Sequence, residues 1–265
     1  MLDIFQYAFM QKAFLVGILL AVIIPLIGVI VVLKRLSMIG DALSHTSLAG
    51  VALGLVLGIN PIVGAVFVCM LAAFAIEGIR KRLPKYAEIS ISIIMSVGIG
   101  LASILSGFVT DGAAFNSFLF GSIVAITDTE VILVIIVTVI VVATFILLYK
   151  ELMYVTFDEH GAVLSGVPVK KINFVVTLLT AITVSVAARS VGALMVSSLM
   201  VIPVACAMQV ADSYKKTVLY SVGFALFFTI TGLFLSYYLD LKPGGTIVIT
   251  GVLVLIPLMA IKGNK

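Results

Sequence analysis

A carboxylate and an imidazole stand four residues apart in the apolar stretch GDALSHTSLAG, residues 40–50, as Asp41 and His45. In an α-helix, residues at positions i and i+4 lie about 40° apart on one face, so both side chains can point at one target. An imidazole nitrogen with a carboxylate oxygen suits zinc, manganese or ferrous iron. Two other interpretations are open: the side chains hydrogen-bond each other, or Asp41 caps the start of the helix.

The pair belongs to a chain that is apolar throughout. Of its 265 residues, 63% are apolar and only 11% are charged, whereas a soluble domain carries about 25% charged residues. Long apolar runs follow one another with few polar breaks, which predicts an all-α polytopic membrane protein with a single domain over residues 1–265. A carboxylate inside a membrane costs about 2.5–3.5 kcal/mol on insertion scales, and such residues usually face a cavity on a transport route.

Nine apolar runs are long enough to cross a bilayer, for which a helix needs about 17–25 residues. The predicted spans lie near 13–33, 38–58, 62–79, 88–108, 129–149, 171–188, 191–210, 215–238 and 245–262. Another apolar segment, 115–125, is too short to cross and is predicted to be a partial or re-entrant helix. Eight spans are the alternative if one of the short segments does not cross.

The basic residues predict the orientation, because cytoplasmic loops carry an excess of Lys and Arg. With the N-terminus outside and the C-terminus in the cytoplasm, only Lys12, Arg189 and Lys242 of the 16 basic residues lie on the outer side. The inner side receives Lys34, Arg35, Arg80, Lys81, Arg82, Lys85, Lys150, Lys170, Lys171, Lys215, Lys216, Lys262 and Lys265. Topology therefore accounts for the net charge of +4, and no nucleic-acid partner is expected.

The first apolar run has no clear small-residue cleavage site after it and is predicted to remain as the first helix. Cys69 and Cys206 both lie inside apolar runs. They are predicted to be small packing residues rather than a disulfide.

Gly50, Gly54 and Gly58 recur every four residues on the second predicted span. Small residues at this spacing let a neighbouring helix approach closely. They lie about 180°, 220° and 260° around the helix from Asp41. The glycine face is therefore predicted to pack, and the face of Asp41 and His45 to point elsewhere, into a pore or a subunit seam.

The longest predicted inner connection contains the amphipathic stretch FDEHGAVLSG, residues 157–166. Asp158 and Glu159 suit a helix N-terminus, and Gly166 suits its end. A short cytoplasmic helix of this kind could dock onto another protein, and an ordinary solvated loop is the alternative. His160 is predicted to face solvent or a partner rather than a metal.

The sequence lacks the motifs of several enzyme classes. It contains no G-x-x-x-x-G-K-[ST] loop for ATP and no H-E-x-x-H, C-x-x-C or G-x-S-x-G. The chain itself is therefore predicted to be no enzyme and to hold no tightly bound cofactor. Glu77 stands near Arg80, which predicts an ion pair at the inner edge of the membrane.

Several ordered motifs over nearly the full length resemble the permease subunit of bacterial ABC importers for divalent metals, the zinc/manganese/iron family. They are GDALSHTSLAGVALG at 40–54, FLFGSI at 118–123, FDEHGAVLSGV at 157–167, VGALMVSSLMVIPVACA at 191–207 and SYYLDLKPGGTIVI at 236–249. The resemblance places Asp41 and His45 at the family's Asp-x-x-x-His position, on the permeation path and in contact with the metal.

The resemblance also implies partners. It implies a homodimer in a bacterial cell membrane, a cytoplasmic ABC ATPase subunit docked below each chain, and an extracytoplasmic metal-binding protein that delivers the ion. The stretch 157–166 then resembles the coupling helix that the ATPase grips. Its residues of interest are Phe157, Asp158, Glu159, Ala162 and Gly166.

The stretch LSHTSLAGVALG resembles the zinc branch more closely than the manganese relatives, which often read SHAVLPG. Leu48, Ala49 and Gly50 replace that Leu-Pro-Gly pattern. The resemblance therefore favours Zn²⁺ as the transported ion, with Mn²⁺ or Fe²⁺ as alternatives. The rival functions are a metal-ion secondary carrier that works without an ATPase, a siderophore or cobalamin permease, and a membrane scaffold without transport.

Overall fold

The computed structural model describes residues 6–82, 86–109, 112–121 and 126–263. Throughout these ranges the chain forms helices joined by turns and short loops, without a strand, which confirms the predicted all-α fold. The helices are α1 (Ala8–Leu33), α2 (Ile39–Leu57), α3 (Pro61–Arg82), α4 (Ala87–Ser106), α5 (Gly112–Phe120), α6 (Asp128–Leu147), α7 (Tyr149–Phe157), α8 (Glu159–Leu164), α9 (Val169–Val191), α10 (Ala193–Val210), α11 (Tyr214–Leu239) and α12 (Pro243–Gly263).

A helix lies at each of the nine predicted spans, with ends that differ by a few residues. In the described part of the chain, eight helices are long and apolar enough to cross a membrane: α1, α2, α3, α4, α6, α9, α11 and α12. The remaining predicted span, 191–210, corresponds to α10, which has 18 residues. At about 1.5 Å per residue it is about 27 Å long, slightly less than the roughly 30 Å of a bilayer core.

The short apolar segment predicted at 115–125 falls on α5, a helix of only nine residues. Residues 122–125 of that segment lie outside the described residues, and so do Lys85 and Lys265 of the predicted inner cluster. A helix of nine residues is far too short to cross a bilayer. Instead, α5 packs against α9, α10 and α2.

The centre of the bundle is formed by α1, α2 and α9, the three spans with the largest buried share. α1 is buried most completely between Leu20 and Val31 and contacts α6, α9, α10 and α11. α2 is enclosed by α3, α4, α9 and α10. The peripheral helices α4 and α12 expose large apolar side chains such as Ile93, Leu101, Leu253 and Ile256. Such outward apolar faces are expected where helices meet lipid.

Glycine brings α2 and α3 into close contact. A Cβ at Gly50 would lie 2.5 Å from the carbonyl oxygen of Gly64, and a Cβ at Gly54 would lie 2.8 Å from Cα of Pro61. Gly58 does not have the packing role that was predicted for it, because nothing lies within 4 Å of the position that a Cβ would occupy. It ends α2 in the left-handed conformation, with φ +67°, which glycine adopts without a steric penalty.

The short helix predicted within 157–166 is α8, which follows its N-cap Asp158 as predicted and leaves Phe157 outside it. α7 ends at Phe157, so this residue closes one helix rather than opening the next. Asp158 has non-helical angles, φ −144° and ψ 88°, and its carboxylate accepts a hydrogen bond from the backbone N–H of Gly161 at 2.8 Å. This cap starts α8 in a new direction, and Gly166, with φ +81°, follows its end.

Both cysteines are free and buried, which confirms that they do not form a disulfide with each other. The thiol of Cys69 donates to the carbonyl oxygen of Leu43 at 3.1 Å, between α3 and α2. Each thiol therefore occupies a small packing position inside the bundle.

Candidate functional site

Asp41 and His45 lie on one face of α2, one turn apart. Nε2 of His45 is 3.9 Å from Oδ1 of Asp41, and the two side chains are 24% and 32% exposed. This distance is within ion-pair range but too long for a hydrogen bond. Because both side chains are also partly exposed, a cation could approach the oxygen and the nitrogen.

The structure does not support the two alternative interpretations of the pair. The 3.9 Å separation excludes a direct hydrogen bond between the two side chains in this conformation. The N-cap residue of α2 is Met38, and no side-chain capping hydrogen bond is present there. Asp41 does lie in the first turn of α2, where the helix dipole favours a negative charge by a few tenths to about 1 kcal/mol.

Ser197 on α10 contacts the acid of this pair, and sequence reasoning missed it. Its hydroxyl donates to Oδ1 of Asp41 at 3.4 Å. Gly40 makes the approach of α10 possible, because a Cβ at this position would lie 3.2 Å from the sulfur of Met200 and 3.5 Å from Cα of Ser197. The only sequence signal was the motif at 191–207, which gave no reason to select this serine.

Other polar side chains of α2 turn back onto their own helix. The hydroxyl of Ser44 donates to the carbonyl oxygen of Gly40 at 2.8 Å, and that of Thr46 donates to Ala42 at 2.6 Å. Within the described ranges, no group of three or more His, Cys, Asp or Glu side chains could hold a metal ion. One chain thus offers a nitrogen and a carboxylate oxygen at this place, which makes at most a weak site by itself.

The α7–α8 corner presents apolar side chains on its outer surface. Leu164 is 89% exposed, and Phe157 and Val163 are also exposed. Ala162, on the same short helix, is fully buried in an apolar cluster with Leu26 and Ile172 among other residues. α8 is therefore anchored on one side and free on the other, as a docking element must be.

An ion pair near the C-terminal end of α3 joins Glu77 to Arg80, as predicted. Nη2 of Arg80 lies 2.6 Å from Oε2 of Glu77, with both side chains mostly buried. The pair lines a small cavity together with Lys34 and Asn173. Because it is satisfied within one helix, it offers no free ligand for a metal.

A second acid–base cluster was not predicted from the sequence. Nε of Arg189 on α9 donates to Oε1 of Glu130 on α6 at 2.9 Å, and the two side chains are 16% and 11% exposed. Arg189 also donates to the hydroxyl of Ser117 at 2.6 Å and lies 4.5 Å from the ring centre of Phe118. One arginine thus holds α5, α6 and α9 together, beside a cavity of about 370 Å³.

The sequence was compared with known families and proteins. The model of the family described as "ABC 3 transport family" matches residues 6–262. A "Probable metal transport system membrane protein" of Treponema pallidum (strain Nichols) is 36% identical over 256 residues, covering 97% of this chain and 96% of that protein. The "High-affinity zinc uptake system membrane protein ZnuB" of Haemophilus influenzae is 33% identical, covering 92% and 94%. The "Manganese transport system membrane protein MntC" of Listeria monocytogenes is 30% identical, covering 94% and 89%.

A solved structure has the same fold. The structure "PsaBC from Streptococcus pneumoniae in complex with Fab" contains a chain that superposes with a TM-score of 0.87. The two chains are 28% identical, and the match covers 97% of this chain and 93% of the other. The likeness in sequence and in fold therefore extends over nearly the whole chain.

Proposed function

The chain belongs to the ABC 3 transport family, and we propose that it is the membrane permease subunit of an ATP-driven importer of divalent transition-metal ions, with zinc as its main cargo. One observation carries the metal assignment: Asp41 and His45 present an oxygen and a nitrogen 3.9 Å apart, both partly exposed, inside an apolar bundle. Ionisable groups inside a membrane protein cost insertion free energy, and a role in ion passage explains why these two are present.

A homodimer would complete the metal site. Two side chains bind a transition metal weakly, and the described part of one chain groups no third ligand with them. If Asp41 and His45 of two chains faced a shared pore, they would offer two nitrogens and two oxygens, a number that suits tetrahedral zinc. We place the pair at this seam because its face of α2 is partly open rather than packed.

The chemical type of the proposed ligands favours zinc over manganese as the cargo. Half of the proposed set is imidazole, which suits zinc, whereas manganese favours carboxylate, carbonyl and water oxygens. Leu48, Ala49 and Gly50 support the same choice, since they stand where manganese relatives often have Leu-Pro-Gly. Full-length relatives named for each metal are similarly distant, so manganese, or ferrous iron, is the alternative cargo.

The partners follow from the same proposal. A cytoplasmic ABC ATPase would bind the exposed apolar corner formed by Phe157, Val163 and Leu164. An extracytoplasmic binding protein would deliver the ion to the outer mouth of the pore. The basic residues favour an outside N-terminus and a cytoplasmic C-terminus, which places α8 on the ATPase side. The chain would alternate between outward-open and inward-open states without covalent chemistry of its own.

Uptake into proteoliposomes tests this function. The chain would be purified with its ATPase subunit, reconstituted, and supplied with zinc or manganese on its binding protein. We expect uptake that needs ATP and that Asp41→Asn or His45→Gln abolishes, with complex assembly unchanged. Zinc uptake by the isolated chain in ATP-free liposomes would instead identify a secondary carrier, and absence of uptake of any metal by the intact complex would contradict the proposal.

A further inference from the structure

Three polar side chains meet where α1, α8 and α9 come together. Nζ of Lys34 donates to Oδ1 of Asn173 at 2.7 Å, and Nδ2 of Asn173 donates to Oε1 of Glu159 at 3.0 Å. Nζ of Lys34 also lies 3.4 Å from Oε2 of Glu159. Each oxygen of the carboxylate thus receives one donor, and the three residues form a closed ring, called here the inner triad.

The inner triad is mostly shielded from water on the bundle side. The side chain of Lys34 is 11% exposed and Asn173 is buried, whereas the side chain of Glu159 is 47% exposed on its outer side. Burial lowers the pKa of Lys34 from its ordinary value, while the nearby Glu159 carboxylate opposes this effect. Hydrogen bonds to charged groups are stronger than neutral ones, while the exposed side of the carboxylate lets water screen its ion pair with Lys34. The ring therefore ties Glu159, at the start of α8, to α1 and α9.

The inner triad is connected to Asp41 by a short and hydrogen-bonded piece of backbone. Lys34 is the C-cap residue of α1, and its N–H donates to the carbonyl oxygen of Ile30 at 3.0 Å. Arg35 follows in the left-handed region, with φ +59°, and its N–H donates to Val32 at 2.9 Å. α2 begins at Ile39, and Asp41 lies in its first turn. Because this connection is short and hydrogen-bonded, a movement of the inner triad should also move Asp41 and His45.

We propose that Lys34, Asn173 and Glu159 are positioning residues that transmit the movement of α8 to the start of α2, and hence to Asp41 and His45. This inference rests on the proposed function, since it assumes an ATPase that moves α8. Ala162 holds α8 by apolar packing alone, which permits sliding. The directional hydrogen bonds of the inner triad add a fixed register between α8 and α1, so that a displacement of one carries the other.

The coupling ratio of the reconstituted importer tests the proposal. Zinc ions transported per ATP hydrolysed would be measured for the wild type, Glu159→Gln and Asn173→Leu. The matched control is Glu151→Gln, the same carboxylate-to-amide change on neighbouring α7. We expect the ratio to fall about tenfold in both triad variants, within the usual range of coupling between distant sites. ATP hydrolysis and the amount of bound ATPase should stay near the wild-type values in Asn173→Leu, whose residue lies on α9 outside the corner proposed to bind the ATPase, and the control should keep the wild-type ratio.

Charge exchange separates transmission from simple structural damage. Lys34→Glu alone and Glu159→Lys alone should each uncouple the importer, and the double variant should regain most of the lost ratio, because the ion pair is restored in reverse. An unchanged ratio in the triad variants, or a double variant no better than the single ones, would overturn the inference. Loss of the ATPase from the purified variants would also overturn it, by making these residues part of the docking surface. Failure of the wild type to transport would instead refute the proposed function.

Discussion

Two acid–base pairs in this molecule differ in how completely their charges are satisfied. In the pair of Glu130 and Arg189, the arginine donates at 2.9 Å to one carboxylate oxygen, and the other oxygen accepts from the backbone N–H of Thr127 at 2.8 Å. In the pair of Asp41 and His45, the side chains are 3.9 Å apart, and Asp41 accepts one long hydrogen bond from Ser197. The first pair is closed and the second is open.

The difference supports the proposal that Asp41 and His45, rather than Glu130 and Arg189, take the cation. A carboxylate that already has a guanidinium neighbour and a backbone donor has little to gain from a metal ion, and the arginine would repel the metal. A carboxylate without such donors has unused lone pairs, and beside an imidazole it has a second ligand within reach. We therefore interpret the closed pair as a clamp between helices and the open pair as the cargo site.

Breaking the closed pair should have the largest effect on stability. Arg189→Met leaves the mostly buried carboxylate of Glu130 without its cation, which should cost about 3–5 kcal/mol of folding free energy. Thermal unfolding of the purified protein in detergent measures the loss. Lys12→Met is the control, because its partner Asp128 is largely exposed and the change should cost less than about 1 kcal/mol. Equal melting temperatures for both variants would show that the closed pair is no clamp.

Breaking the open pair should act on transport and leave stability nearly unchanged. Asp41→Asn and His45→Gln each keep the size of the side chain and remove a metal ligand. Zinc uptake should fall by about 100-fold or more, since even the loss of groups that only support metal ligands costs about 10–100-fold. Both uptake and thermal unfolding would be measured on the same preparations. A large fall in melting temperature with unchanged uptake would reverse the roles assigned to the two pairs.

The close contact between α2 and α3 should also be sensitive, because it sets the position of the helix that bears the open pair. Gly50→Ala would place a Cβ 2.5 Å from the carbonyl oxygen of Gly64, and such overpacking costs about 1–3 kcal/mol. Gly100→Ala on α4 is the control, since nothing lies within 4 Å of its Cβ position. Thermal unfolding of the two variants should therefore differ, and a Gly50→Ala protein as stable as the control would indicate a looser contact.

Removing the Ser197 hydroxyl should have the smallest effect of the four changes predicted for these sites. Its hydrogen bond to Asp41 is long, at 3.4 Å, so Ser197→Ala should reduce zinc uptake by about tenfold, the lower end for groups that orient a metal ligand. The apparent KM for zinc should rise, and Ser197→Thr should restore much of the uptake. Ser198→Ala is the neighbouring control. Identical uptake in both alanine variants would remove Ser197 from the site.

The sequence was sufficient for the all-α fold, the positions of the apolar helices and the placement of Asp41 and His45 on one helix face, because hydrophobic length and i, i+4 spacing are local properties. It was insufficient where a contact joins distant segments. Ser197 meets Asp41 across 156 residues, and Arg189 meets Glu130 across 59. The start of α8 was predicted, since Asp158 and Glu159 are typical of a helix N-terminus and Asp158 is the N-cap.

The zinc content of the purified complex tests the central claim most directly. The purified complex would be incubated with zinc in the absence of ATP, separated from free ion, and analysed by elemental mass spectrometry. We predict about one zinc ion per two chains in the wild type, as expected if two pairs provide four ligands, and only background zinc in Asp41→Asn. Arg189→Lys, which keeps the positive charge of the closed pair, should retain the wild-type content. Equal zinc in the wild type and Asp41→Asn would contradict the assignment of the open pair as the cargo site.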